Sequence, residues 1–113
     1  MKYNTLTAIP GIGKSIAADM EHIGIKKPAD LKGRDPQELY ELSNRYAGKV
    51  QDRCLLYVFR CAVYCVNTPK PEKHLMKWWA WTIDRTDPSF AAMTAGLTKL
   101  LGKPPGRKKR KRG

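Results

Sequence analysis

The chain has 113 residues, with 22 Lys and Arg against 10 Asp and Glu, a formal net charge of +12 and a pI near 9.9. That length supports one domain with a modest core, and that charge points to a polyanionic partner. Three cysteines, an odd number, and no signal-peptide pattern in the opening residues argue against a disulfide framework and for a reducing, cytoplasmic location. The most apolar run, residues 54–66, is interrupted by Arg60 and is shorter than the roughly 20 residues of a membrane span, so no membrane partner is expected.

The charge is unevenly spread. Lys103, Arg107, Lys108, Lys109, Arg110, Lys111 and Arg112 carry seven of the positive charges, leaving 15 Lys and Arg against 10 acids, or +5, for residues 1–102.

At the start of the chain Asn4 is placed to cap a short helix through Ala8, with Leu6 and Ile9 facing inward and Pro10 forcing the exit. Ile9-Pro10-Gly11-Ile12-Gly13-Lys14 then reads as a tight turn into a second helix. Glycine at both turn positions opens backbone angles closed to other residues and leaves the amides uncovered. Because a helix begins there, its N–H groups and the positive end of its dipole face outward and can hold a phosphate. The second helix is expected from Lys14 to His22, with Ile16, Ala17, Met20 and Ile23 at helical spacing and Gly24 as its stop. Ala17 is small enough to let the two helices approach closely.

From Ile25 the pattern almost repeats. Pro28 to Lys32 reads as one helical turn, Gly33-Arg34-Asp35 as a bend, and Pro36 to Tyr46 as a longer helix started by Asp35, Pro36 and Glu38, with Leu39 and Leu42 inside. Asp35 stands where the first turn offers Gly13, and its carboxylate would repel phosphate. Only the first turn is therefore expected to take an anion.

Gly48 ends that helix, and the next runs from about Asp52 to Val66, apolar over most of its circumference and so placed at the centre of the core. Arg53, Tyr57, Arg60 and Tyr64 lie on one narrow face of it. They read either as a nucleic-acid grip or, more in keeping with a central helix, as arginines paired to Glu38 or Glu41 beside packed tyrosines. A further helix is expected over Lys70 to Thr82, opened by Pro71 and carrying Trp78, Trp79 and Trp81, a cluster suited to sealing a small core or to stacking on bases. A last helix starts at Asp87-Pro88 with Phe90, Met93, Leu97, Leu100 and Leu101 on its apolar stripe, and Gly102 and Pro104-Pro105 end the ordered body.

Leu6 to Met20, with its Ile-Pro-Gly-Ile-Gly core and Ala17, resembles the helix-hairpin-helix motif of many DNA-repair and recombination proteins. Asp35 to Tyr40, Asp52 to Tyr64 and Leu75 to Trp81 are similar to the bacterial pathogenicity-locus family, small helix-hairpin-helix proteins of which some are labelled mitomycin-resistance-related. The resemblance covers Leu6 to about Thr82 and implies an all-helical fold and DNA binding, without a biochemical activity. It also implies, from the general motif, phosphate contacts by the backbone of Gly11, Ile12, Gly13 and Lys14, a hydroxyl contact from Ser15, and a monovalent cation at the hairpin carbonyls. No other cofactor is expected.

Two chemistries are weighed and set aside. Asp30 and Asp35 lie where a base-excision glycosylase would carry a catalytic aspartate, but a chain this short cannot wall a pocket for a flipped base. Cys61 and Cys65, with Cys54, His22 and His74, could offer zinc ligands, yet small cysteines on a buried helix are ordinarily packing.

The expectation is thus an all-α, compact bundle of about five to six helices containing one helix-hairpin-helix motif. One domain would span residues 1–102, with the hairpin at about 5–23, and a disordered basic arm would follow over 103–113. The expected function is non-sequence-specific binding to the DNA phosphate backbone in repair or damage tolerance, not an enzyme, with Arg107, Lys108, Lys109, Arg110, Lys111 and Arg112 assisting the hairpin. The alternatives are a protein-interaction module acting through Trp78, Trp79 and Trp81 with a structural hairpin, and RNA binding through the arm.

Overall fold

The structure, a computed structural model, describes residues 3–82. The expected last helix and the basic arm lie outside the described residues. Within them there are three α-helices and no strand: α1 (Lys14–His22), α2 (Pro36–Ala47) and α3 (Arg53–Asn67), linked and flanked by four short 3-10 turns. The expected five to six helices are therefore corrected, because two of the segments read as helices are only turns.

The first is Leu6–Ala8. In an α-helix the Leu6 carbonyl would accept from residue 10, but Pro10 has no N–H, so Ile9 donates to it instead at 3.1 Å. Ile9 is extended, as the residue before a proline should be, and its side chain and that of Leu6 are buried. The second is Lys70 to Thr82, which forms two 3-10 turns, Lys73–Leu75 and Trp78–Trp81. The Leu75 carbonyl, which a continuing helix would give to residue 79, receives the Trp81 indole N–H at 2.9 Å and the Cys61 thiol at 3.7 Å. Satisfying a fully buried indole outweighs one more helical turn.

The three α-helices start and stop as their sequences direct. Asp35 caps α2 by accepting from the Gln37 amide at 2.9 Å, and Asp52 caps α3 by accepting from the Cys54 amide at 2.9 Å. At the end of α1, Gly24 donates to Glu21 and Ile25 to Met20, so the chain reverses with Met20 and Ile25 buried. Gly48, left-handed at φ 75°, ends α2 in the same manner.

Helix α3 is the centre of the core, with Phe59, Cys61, Ala62 and Val63 fully buried. It is covered by α2, by the Trp78–Trp81 turn and by the Pro28–Leu31 turn, while α1 packs on α2 and on Leu6–Ala8. Asn67 ties the end of α3 to the preceding bend. Its amide donates to the Val63 and Leu31 carbonyls and its oxygen accepts from Gly33 at 3.2 Å. The Arg53–Tyr64 face divides: Arg53 is exposed, Tyr57 half-buried, Arg60 and Tyr64 buried. Arg60 donates to the Trp81 carbonyl at 3.0 Å and lies over Tyr57, while Glu38, considered as its partner, faces Arg34 at 3.9 Å. Tyr64 packs on Trp81 and its hydroxyl accepts from the Glu72 amide. A continuous nucleic-acid grip along that face is excluded by this burial. None of the helices among the described residues is long and apolar enough to cross a membrane.

Candidate functional site

The turn before α1 is built by residues that have little choice. Ile9, Pro10, Gly11 and Ile12 form a β-turn in which the Ile12 amide donates to the Ile9 carbonyl at 3.1 Å and Gly11 has φ 87°. Proline second and a positive-φ glycine third is the type II arrangement. Gly11 is thus required by backbone conformation. Gly13 is not: it is extended at φ −95°, and a Cβ added there would meet nothing within 4 Å. The expectation that both glycines serve unusual backbone angles is corrected for Gly13, whose missing side chain instead leaves the start of α1 open.

What is left open is a row of donors. The first bond of α1 runs from the Ala17 amide to the Gly13 carbonyl at 2.9 Å, and among the described residues the amides of Gly13, Lys14, Ser15 and Ile16 meet no acceptor. No side chain caps the helix, and no acid lies in its first turn. In lacking a side-chain cap α1 differs from α2 and α3, which begin on a capping aspartate, and α2 also carries Glu38 in its first turn. Lys14 and Ser15 are exposed, whereas Ile12 is buried and its amide is spent within the turn. Of the five hairpin residues expected to meet phosphate, only Ile12 has its amide taken. Gly11, Gly13, Lys14 and Ser15 are exposed with amides that meet no acceptor among the described residues, and Ile16, which sequence reasoning passed over, extends the row that starts at Gly13. The Pro-Gly pair was the signal that the Ile12 amide would be taken.

The turn also has a support that the sequence did not announce. Trp78 lies against Gly11, its Cβ 3.7 Å from where a Gly11 side chain would begin. Since the Trp78–Trp81 turn packs on α3, the turn before α1 is braced by the core. Arg107, Lys108, Lys109, Arg110, Lys111 and Arg112 lie outside the described residues.

The other residues weighed for chemistry are occupied elsewhere. Asp30 accepts from the Lys26 and Lys27 amides at 2.9 and 3.2 Å, and the Lys26 bond foremost holds its carboxyl below the usual carboxylate range. Asp35 caps α2. Cys61 and Cys65 are buried, the bond to Cys65 and then burial pushing the Cys61 thiol far up, while Cys54 is exposed. Among the described residues no three His, Cys, Asp or Glu side chains stand close enough to share a metal ion.

Comparison with known proteins agrees with the resemblance of the sequence. The model of the family described as Pathogenicity locus matches residues 1–87. A mitomycin resistance protein, McrB, of Streptomyces lavendulae is 37% identical over 81 residues, which cover 71% of this chain and 72% of that protein. No solved structure matches. On the family match and this identity, the chain belongs to the pathogenicity-locus family.

Proposed function

We propose that this chain is a DNA-binding protein, without a catalytic step of its own, that grips the phosphate backbone through the turn before α1 in the manner of a helix-hairpin-helix clip. The observation that carries the reading is the open row of amides at residues 13–16 beneath a glycine that the fold itself does not require. An anion there meets several N–H donors, the helix dipole and the exposed Lys14 at once. The Gly11 and Ile12 carbonyls accept no hydrogen bond among the described residues, and they are the groups offered to a monovalent cation, which would neutralise part of the phosphate charge.

Such contacts position a protein without reading bases, so binding is insensitive to sequence and falls steeply with salt. The basic residues 103–113 add affinity of the same kind. The relative's name associates it with mitomycin resistance, and for this chain we place the binding in DNA repair or damage tolerance in the cytoplasm of a bacterium. The test is a salt titration of duplex binding by the chain with and without residues 103–113, each with and without Gly13→Asp. The substitution weakens binding in both forms if the turn holds phosphate. An unchanged affinity in the shortened form makes the turn purely structural and favours the protein-interaction alternative.

A further inference from the structure

Connected to the turn before α1 through Trp78 is an aromatic side chain that phosphate contact does not use. Of the three tryptophans in the Trp78–Trp81 turn, Trp81 is sealed in the core and Trp78 is half-buried against Gly11, but Trp79 is 58% exposed. It is also held in place. Its ring stands edge-on to Trp78, with centroids 5.9 Å apart at 88°, and its carbonyl accepts from the Thr82 hydroxyl at 3.1 Å. Trp78 is thus a spacer, packed on the turn on one side and supporting Trp79 on the other.

A cation stands at the ring: the Lys77 ammonium lies 5.9 Å from the Trp79 centroid. An exposed indole beside a lysine, connected through Trp78 to the turn that precedes the open amides, suits a ligand that is planar and apolar in one part and anionic in the next. A nucleotide has that form. An apolar protein surface does not, because burying Trp79 against it would also desolvate Lys77.

We propose that Trp79 is a stacking platform for an unpaired nucleobase of the strand whose phosphate sits on residues 13–16, so that the protein prefers DNA containing a single-stranded segment over continuous duplex. This rests on the phosphate-binding reading of the turn. In a continuous duplex the base faces are covered by their neighbours and the indole meets only backbone. At a gap, flap or end the face of the exposed base is available, and stacking on it is indifferent to sequence because every base has a π-face.

The experiment uses the full chain, as wild type and as the Trp79→Ala, Trp79→Phe and Gly13→Asp variants. Binding at fixed ionic strength is measured by anisotropy to a single strand, a duplex of the same length and a duplex with a single-stranded overhang, with indole fluorescence recorded alongside. Trp79→Ala is expected to lower affinity about tenfold for the single strand and the overhang, with Trp79→Phe keeping it within about threefold of wild type. Duplex affinity should stay unchanged in both variants, and the fluorescence quenching by single-stranded DNA should disappear in Trp79→Ala. Equal effects of Trp79→Ala on all three ligands, or none on any, overturn the platform while Gly13→Asp still reports on the turn. If Gly13→Asp leaves all three affinities unchanged, the phosphate-binding reading falls instead, and this inference with it.

Discussion

Gly13→Asp should make the protein more stable and a poorer DNA binder, two effects of opposite sign from one side chain. Gly13 sits at the cap position of α1 in extended conformation, like Asp35 and Asp52 on α2 and α3, and nothing lies within 4 Å of the site its Cβ would take. An aspartate there accepts from the Ser15 or Ile16 amide without moving its neighbours. Aspartate improves on glycine at such a cap by a few tenths of a kcal/mol, and its charge at the dipole adds about 0.3–1 kcal/mol. A gain of this size raises the melting temperature by about 2–6 °C in a domain this small. The same carboxylate occupies the donors and repels phosphate. Losing a hydrogen bond to a charged group costs about 1.5–3 kcal/mol, or roughly 10- to 100-fold in affinity at low salt. The salt slope should fall by about 0.9 for the phosphate released. Thermal unfolding by circular dichroism and anisotropy titration of the chain lacking residues 103–113 measure both effects. A stabilised variant with undiminished affinity would refute the reasoning about function, and a destabilised one would refute the reasoning about the cap.

Four other outcomes are expected. Deleting residues 103–113 removes seven of the 22 Lys and Arg residues, and by counterion release it flattens the plot of log affinity against log salt by up to about 6. Trp81→Ala empties a fully buried site and frees the Leu75 carbonyl, which should cost about 3–5 kcal/mol in denaturant unfolding. Backbone amides, of Lys26 and then Lys27 for Asp30 and of Cys54 for Asp52, hold these carboxyls below the usual range. Their stabilisation is complete above the unfolded-state values and lost as pH falls through the lowered ones, so urea midpoints should be level from neutrality to about pH 5 and decline below about pH 4. Cys54 is the one exposed thiol of the three, pushed up chiefly by its hydrogen bond to the Asp52 side chain. Native protein should therefore take up a single equivalent of iodoacetamide slowly, and faster in Asp52→Asn, which keeps the helix cap but not the charge.

The parts of the fold legible in the sequence were those set by local chemistry. Gly24, Gly48, Asp35 and Asp52 mark helix ends through backbone conformation and capping, and α1, α2 and α3 lie within a residue or so of their expected bounds. The parts that were not legible depended on a distant partner. Nothing near Lys70 shows that the Trp81 indole will claim the Leu75 carbonyl or that Arg60 will donate to the Trp81 carbonyl. The second bond comes from α3, and the first joins Trp81, packed on Tyr64 of α3, to a carbonyl that the Cys61 thiol of α3 also reaches. The same holds at the candidate site. Gly11 and the start of α1 could be read from Pro10 and the glycines, whereas Trp78 against Gly11 is a long-range contact without a local signature. The role of Gly13 was misread for a different reason: two glycines in one turn look alike in sequence, and only their backbone angles separate them.

The central claim is that phosphate is held by the backbone at the start of α1, and amide chemical shifts report on those atoms directly. Titrating the isotopically labelled full chain with a short DNA duplex should move the amide resonances of Gly13, Lys14, Ser15 and Ile16 downfield together, with Ile12 shifting little because its amide is already bonded to Ile9. Shifts confined to residues 103–113, with those four resonances stationary at saturation, would contradict the account.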